Sequence, residues 1–212
     1  MSKNIYLFST SSHPDAISIN SLDISILKPD IDFSLYDYLI ITSKQAVNAL
    51  KQYDLNSFID KKALCVSSKT AESYESLGGY VLESGSGYGD DLSKIIKKYP
   101  KNIKWLYLRA KEIASSFVRE LNDQGFSIDE SVLYESSCSQ EILDIKVEDD
   151  SILIFTSPSS VKCFLKQNKI NKNNKIVVIG DTTAKVLPNN VNYVISEFKT
   201  IESCIESAKL YY

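Results

Sequence analysis

Histidine is almost absent from this sequence; His13 is the only one. A His-dependent catalytic triad must use His13 or not exist, and a metal site built from several imidazoles is excluded. His13 itself lies in Ser12-His13-Pro14, a turn sequence that reads as a surface loop. The four cysteines, Cys65, Cys138, Cys163 and Cys204, are far apart and show no CxxC spacing. That pattern fits reduced cytosolic thiols better than a zinc site or a disulfide frame. Long apolar runs are missing too. Ile152 to Phe155 and Ile176 to Ile179 are among the longest, far short of the ~20 residues that span a bilayer. The amino terminus, Met1-Ser2-Lys3-Asn4 and then four apolar residues, is too short for a secretory core. Basic charge is not in excess: 24 Lys and Arg stand against 27 Asp and Glu, a net charge of −3. A general nucleic-acid binder replaces counterions on phosphate and is normally basic, so that class is disfavoured. The same balance argues against a polyanionic ligand. No paired carboxylates stand out, and a Walker A motif is absent.

What is present is a globular composition. Hydrophobic residues are 43% and charged residues 24%, which excludes disorder, collagen and coiled coil. The 212 residues allow one large domain or two small ones. Short apolar runs alternate with helical stretches. Ile5 to Phe8, Tyr38 to Ile41, Ala63 to Val66, Trp105 to Leu108, Ile152 to Phe155 and Ile176 to Ile179 read as strands. Continuous apolar strands between helices indicate a parallel sheet covered on both faces, so the fold class is α/β. Thr42 or Ser43 can cap a helix carrying Ala46, Val47 and Leu50 on its inner face. Ser157 can cap another, with Pro158 at its first position and Val161, Phe164 and Leu165 inward. A third helix, Ile113 to Asn122, puts Ala114, Phe117, Val118 and Leu121 on one face and stops near Gly125.

An internal repeat runs through this pattern. Thr42-Ser43-x-x-x-Val47 recurs as Thr156-Ser157-x-x-x-Val161, and Lys69-Thr70-Ala71 as Thr182-Thr183-Ala184. Tyr6-Leu7 resembles Tyr107-Leu108, and Ser21 to Leu27 resembles Ser127 to Leu133. A duplicated α/β domain accounts for four matches in consistent order. Two partitions remain open: tandem domains dividing near Pro100, or one domain inserted in the other. The second makes the chain cross twice, near 28–33 and 133–139.

Several strand ends carry a hydroxyl or basic group: Ser9-Thr10, Thr42-Ser43, Ser67 to Thr70, Arg109, Thr156-Ser157 and Thr182-Thr183. In open α/β sheets ligands bind beyond the carboxyl ends of strands, where helix N-termini offer free N–H groups. Each hydroxyl alone can be a helix cap. Together, on one rim, they suit anions without many formal cations. Ser84-Gly85-Ser86-Gly87-Tyr88-Gly89 lacks the context of a dinucleotide fingerprint and reads as a flexible loop. Backbone N–H groups near Gly87 are its route to a ligand. Tyr134, at a proposed crossing, is a phenol that can give a proton to a leaving group or simply pack there.

In order and spacing, these pieces resemble the uroporphyrinogen-III synthase family over nearly the whole chain. They are Tyr36 to Ser43 with Ala46-Val47, Val66 to Ala71, Glu83 to Leu92, Leu106 to Arg109, Leu121 to Gly125 and Val132 to Tyr134. Phe155 to Ser159 with Val161 and Val178 to Ala184 complete them. The resemblance implies two flavodoxin-like three-layer lobes with parallel sheets, joined by a two-stranded linker, with the active cleft between them. Lobe 1 would hold 1–28 and 139–212, lobe 2 would hold 33–133, and 29–32 and 134–138 would link them. It implies a cytoplasmic monomer without cofactor or metal, and transient contact with the upstream deaminase. The substrate would be hydroxymethylbilane, a linear tetrapyrrole with eight carboxylates. Its terminal hydroxyl leaves as water, the last ring inverts and the macrocycle closes. On this reading Tyr134 donates the proton. Ser9, Thr10, Ser43, Lys44, Thr70, Gly87, Arg109, Ser157, Thr182 and Thr183 bind carboxylates.

The chain departs from the family pattern in places. The first strand runs into Ser9-Thr10-Ser11-Ser12 where a Thr-Arg pair is usual, and Lys44-Gln45 stand where Pro-x or Pro-Arg is common. The helix after Ala184 meets Pro188 within a turn. Arg109 becomes the best single cation, with Lys111 next. Two competing readings share the fold: a non-catalytic two-lobed module for a small anion, and a flavodoxin-like or phosphate-signalling protein. The second lacks the expected acidic cluster or flavin loop.

Overall fold

A computed structural model describes residues 3–87, 89–113 and 115–211, without the side chains at 89 and 90. Tyr88 of the glycine-rich stretch and Ala114 of the expected 113–122 helix lie outside the described residues. The strands are β1 (Ile5–Ser9), β2 (Ile17–Asn20), β3 (Leu22–Ile26), β4 (Tyr38–Ile41), β5 (Lys62–Cys65), β6 (Tyr80–Ser84), β7 (Lys104–Ala110), β8 (Ser127–Cys138), β9 (Ile152–Phe155), β10 (Lys175–Val178) and β11 (Tyr193–Ile195). The helices are α1 (Lys44–Leu50), α2 (Ser68–Ser76), α3 (Gly89–Ile96), α4 (Phe117–Asp123), α5 (Gln140–Asp144), α6 (Pro158–Gln167), α7 (Asp181–Ala184) and α8 (Ile201–Lys209).

The chain divides into two compact units, 1–23 with 137–212 and 24–136. The discontinuous unit holds a sheet of order β11-β10-β9-β1-β2. The continuous unit holds β3-β8-β7-β4-β5-β6. The division falls at 23/24 and 136/137 because Ile24 to Ile26 lie in β3, whose neighbour is β8. The ladders β2–β1–β9–β10–β11 and β8–β7–β4–β5–β6 are parallel. The repeat maps onto these orders. β4 stands in its sheet where β9 stands in the other, β5 where β10 stands, and β7 where β1 stands. The Ser21 to Leu27 match behaves differently: it forms β3 at the edge beside β8, and β2 takes the equivalent place.

Both sheets are covered on two faces. Side chains alternate along a strand, so Tyr6 and Phe8 pack on one side of β1, and Ile5 and Leu7 on the other. Phe8 stacks on Phe155 at 4.9 Å and meets Phe164 of α6 at the same distance. In the continuous unit Leu39 and Ile41 enter one core while Ile40 enters another, with Trp105 and Leu92. The expected central strands are those with this double burial. β2, β3 and β6 are interrupted by polar residues, and β11 is only the three residues Tyr193 to Ile195; each of these strands keeps at least one residue exposed. The helix expected from Ile113 begins at Phe117; α4 ends ahead of Gly125, whose φ of +87° suits a residue without Cβ.

The cysteines depart from expectation. Cys138 and Cys163 form a disulfide with Cα atoms 5.3 Å apart. Distance along the chain hid it, because α5 and β9 fold the intervening 25-residue span back so that α6 lies beside the end of β8. Cys65 and Cys204 are free and buried. Burial pushes the Cys65 thiol up to about 12 and raises that of Cys204. Thiol alkylation should therefore find no accessible thiol in the native, unreduced protein, two after unfolding without reductant, and four after unfolding with it. Replacing both bridged cysteines by serine should lower stability by about 3 kcal/mol, the loop-closure value for this span, measured by urea denaturation.

Candidate active site

In the discontinuous unit Phe8, Phe155 and Val178 are in register on adjacent parallel strands. The chain leaving each strand therefore emerges on a common carboxyl rim. β1 ends in Ser9, whose Oγ accepts from the Ser11 N–H at 3.1 Å and shapes the turn; Thr10 is exposed. After β9, Thr156 donates its hydroxyl to the Phe8 carbonyl at 3.1 Å, tying two strand ends together. Ser157 follows as the N-cap of α6. Its Oγ accepts from the Ser160 N–H at 3.1 Å, and Ser160 Oγ accepts from the Ser157 N–H at 3.2 Å. Pro158 sits at the start of the helix, where its missing N–H leaves nothing unsatisfied. After β10, Gly180 leads into α7, with Thr182 exposed and Thr183 buried. Thr183 is 1% exposed, and its hydroxyl has no hydrogen-bond partner among the described residues. Such a group costs about 1–3 kcal/mol of desolvation, which nothing described in the fold of this unit offsets.

The continuous unit repeats the construction. Leu108, Ile41 and Cys65 are in register on β7, β4 and β5. Ser43 caps α1, its Oγ accepting from the Ala46 N–H at 3.1 Å. The preceding Thr42 hydroxyl lies 3.1 Å from the Tyr107 hydroxyl. Tyr107 is 3% exposed, and burial raises its pKa. Thr70 is buried in the first turn of α2; Ser67 is the cap, accepting from the Thr70 N–H at 3.4 Å. Tyr107 is thus a rim candidate that the sequence reading lacked, and Ser67, one of its strand-end hydroxyls, joins Thr70 there as the cap. Ser67 was legible as a capping serine, whereas Tyr107 looked like any apolar strand residue.

Other expected contacts are placed differently. Lys44 is the first residue of α1 and lines a surface groove of about 290 Å³ with Lys51 and Ser73. The Gly87 N–H donates to the Val66 carbonyl at 2.8 Å, so that donor is spent on the loop itself. Arg109 is committed within its own unit. Its Nε bonds Glu130 Oε2 at 3.1 Å, and its Nη1 bonds the carbonyls of Ala110 and Lys111 at 2.8 and 2.9 Å. Lys111 pairs with Glu135 at 2.8 Å, which raises its pKa. Tyr134 lies inside β8, in register with Ala110, and is 9% exposed against the apolar core of Leu108 and Leu133. His13 stays local: its Nδ1 accepts from the Asp15 N–H at 3.2 Å.

Two largely parallel sheets with capped helices and hydroxyls at their carboxyl rims define a class, a two-unit α/β protein whose polar groups gather beyond its strand ends. The family signature of uroporphyrinogen-III synthase HemD matches residues 15–206. The chain belongs to the uroporphyrinogen-III synthase family, lyases of tetrapyrrole biosynthesis. The fold is similar to that of uroporphyrinogen-III synthetase from Helicobacter pylori. The two share 25% identity over all of both chains, with a TM-score of 0.81. A mutant uroporphyrinogen III synthase from the extremely thermophilic bacterium Thermus thermophilus shares the fold at 13% identity, over 99% of this chain and 98% of its own, with a TM-score of 0.62. No curated protein matches in sequence.

On the rim of the discontinuous unit one hydroxyl caps a helix and another has no partner among the described residues. Ser157→Ala should cost about 1 kcal/mol of stability, because a cap is lost. Thr183→Val should leave the thermal midpoint unchanged or higher, because it removes an unpartnered hydroxyl. Calorimetry on the two variants checks the contrast.

Proposed function

We propose that the rim hydroxyls and helix N-termini hold the carboxylates of hydroxymethylbilane while the chain closes it to uroporphyrinogen III. The buried, unpartnered Thr183 hydroxyl, on the same rim as the Ser157 cap, carries this reading. It is a polar group kept at a cost, on a strand end where ligands of parallel sheets bind. Loss of hydroxide from the first ring is driven by its pyrrole nitrogen, and a donated proton lets it leave as water. The azafulvene formed is electrophilic by itself, and unassisted closure gives the uninverted isomer. The protein's work is therefore geometric: many weak contacts hold the far ring so that attack falls on its substituted carbon. Ring inversion then follows through a spiro intermediate. Tyr134 donates the proton, directly or through water. Ser9, Thr10, Ser43, Thr70, Ser157, Thr182 and Thr183 take carboxylates. Arg109, braced by Glu130, supplies fixed positive charge and not a mobile clamp.

The wider arrangement belongs to the same proposal. The units are duplicated flavodoxin-like lobes, one interrupted by the other, which the permuted strand correspondence supports. The enzyme works as a cytoplasmic monomer and takes its labile substrate from the upstream deaminase by transient contact.

Enzymatically generated hydroxymethylbilane, with the product isomers resolved, tests the activity. Type III product should predominate; type I at the spontaneous rate would reject it. Tyr134→Phe should slow turnover roughly tenfold, less than the ~10²–10⁴ of a general acid that water cannot replace. An unchanged rate removes Tyr134 from the mechanism. Thr183→Val should raise KM although it does not destabilise the fold.

A further inference from the structure

The discontinuous unit carries a second feature at the opposite end of its sheet. A groove of about 850 Å³ opens at the amino ends of β10 and β11, where Lys175 and Tyr193 begin those strands. That volume lies within the range of small-molecule sites. Lys169, Lys172 and Lys175 line it, and among the described residues no carboxylate side chain does. In a chain with more acidic than basic residues, this is a local reversal of charge. Ile170, Ile176 and Val191 add apolar surface. Tyr193 is 46% exposed there, and the Lys175 ammonium sits 6.0 Å from the centre of the Tyr211 ring.

The lysines stand on a braced frame. Residues 168–174 connect α6 to β10, and asparagines hold that connection. Asn174 is 7% exposed; its Nδ2 donates to the carbonyls of Glu148 at 3.0 Å and Asp149 at 3.2 Å and to Ser151 Oγ at 3.0 Å. Its Oδ1 accepts from the Asn171 N–H at 2.8 Å. Asn168 Nδ2 donates to the Ile142 carbonyl at 3.0 Å. The Asp149 carboxylate accepts from Asn171 Nδ2 at 2.7 Å. A rigid connection displays cations with less ordering entropy lost on binding than a loose one.

We infer that this groove is a second anion site, which takes a polycarboxylate with an apolar body of the kind the enzyme produces. The ammonium groups meet the carboxylates, and the apolar body lies on Tyr193 and the aliphatic wall. The choice of ligand rests on the proposed activity; the cationic groove does not. Sites on this surface differ from the rim residues in sequence, strand end and chemistry, so the two can be separated by mutation.

Equilibrium dialysis with uroporphyrin, a stable octacarboxylate macrocycle, counts the sites. The wild-type chain should bind two molecules at low salt, and a triple variant Lys169→Gln, Lys172→Gln, Lys175→Gln should bind one. That variant should keep its type III turnover. A second triple variant, Lys94→Gln, Lys97→Gln, Lys98→Gln, removes the same charge from the α3 region and should keep both sites. Unchanged stoichiometry in the first variant, or equal loss in both, would overturn the groove. Loss of one site in a protein that makes no type III product would keep the groove and reject the activity.

Discussion

Double burial of parallel strands is the constraint from which the rest follows. A strand covered on both faces has no room for a polar side chain along its length. Ile152 to Phe155 and Leu39 to Ile41 are apolar throughout and fully buried. Polar chemistry is displaced to the strand ends, where the chain turns into a helix. At that turn the helix needs a cap, and Ser43, Ser67 and Ser157 supply it. The same turn exposes N–H groups and a partial positive charge. A rim of N–H groups and hydroxyls is thus a by-product of the packing, and what differs between rims is the side chains added to them.

What is added here is mostly neutral. Lys44 and Lys69 stand exposed in the first turns of α1 and α2, whereas Arg109 and Lys111, at the end of β7 and just past it, both face carboxylates, Glu130 and Glu135. Their pairing keeps the local charge balanced and the side chains fixed. This also resolves the difficulty that the net charge of −3 raised for a polyanionic ligand. A whole-surface sum says little about a rim where dipoles and hydroxyls set the field. Stripping water from eight carboxylates needs many partners, and hydroxyl groups give these without the self-repulsion of clustered lysines.

The central strands were readable because their chemistry is unambiguous, and the repeat because Thr-Ser and Thr-Ala recur after equivalent strands. Edge strands were not: polar residues interrupt β2 and β3, and β11 is only three residues long with all of them exposed. Candidate site residues were readable as far as a cap is a local signal. Ser43 and Ser157 follow from their own neighbours. Arg109 did not, because its partner Glu130 is 21 positions away on the next strand. Cys138 and Cys163 failed for the same reason. Spacing rules recognise local frames, and this bridge depends on where α6 lands after a whole strand and helix.

The bridge and the ladder together bear on Tyr134. β8 is twelve residues long, far beyond the other strands. Its first part pairs with β7 from Ser127 to Tyr134. Its last residue is Cys138, bonded to Cys163 of α6, and the following Ser139 N–H donates to the Ser21 carbonyl. Tyr134 is the last residue of the laddered part, in register with Ala110 within the continuous unit, whereas Cys138 belongs to the other unit. A phenol that hands a proton to one leaving group needs its backbone fixed to a fraction of an ångström, and loops seldom give that. The β7–β8 ladder does, because it holds Tyr134 in register with Ala110. The same α6 that holds the bridge carries the Ser157 cap, so the covalent link ties the last residue of β8 to a helix that starts on the rim of the discontinuous unit. The disulfide therefore holds the end of β8 against α6, the helix whose Phe164 packs on Phe8 and Phe155 in the core of the discontinuous unit.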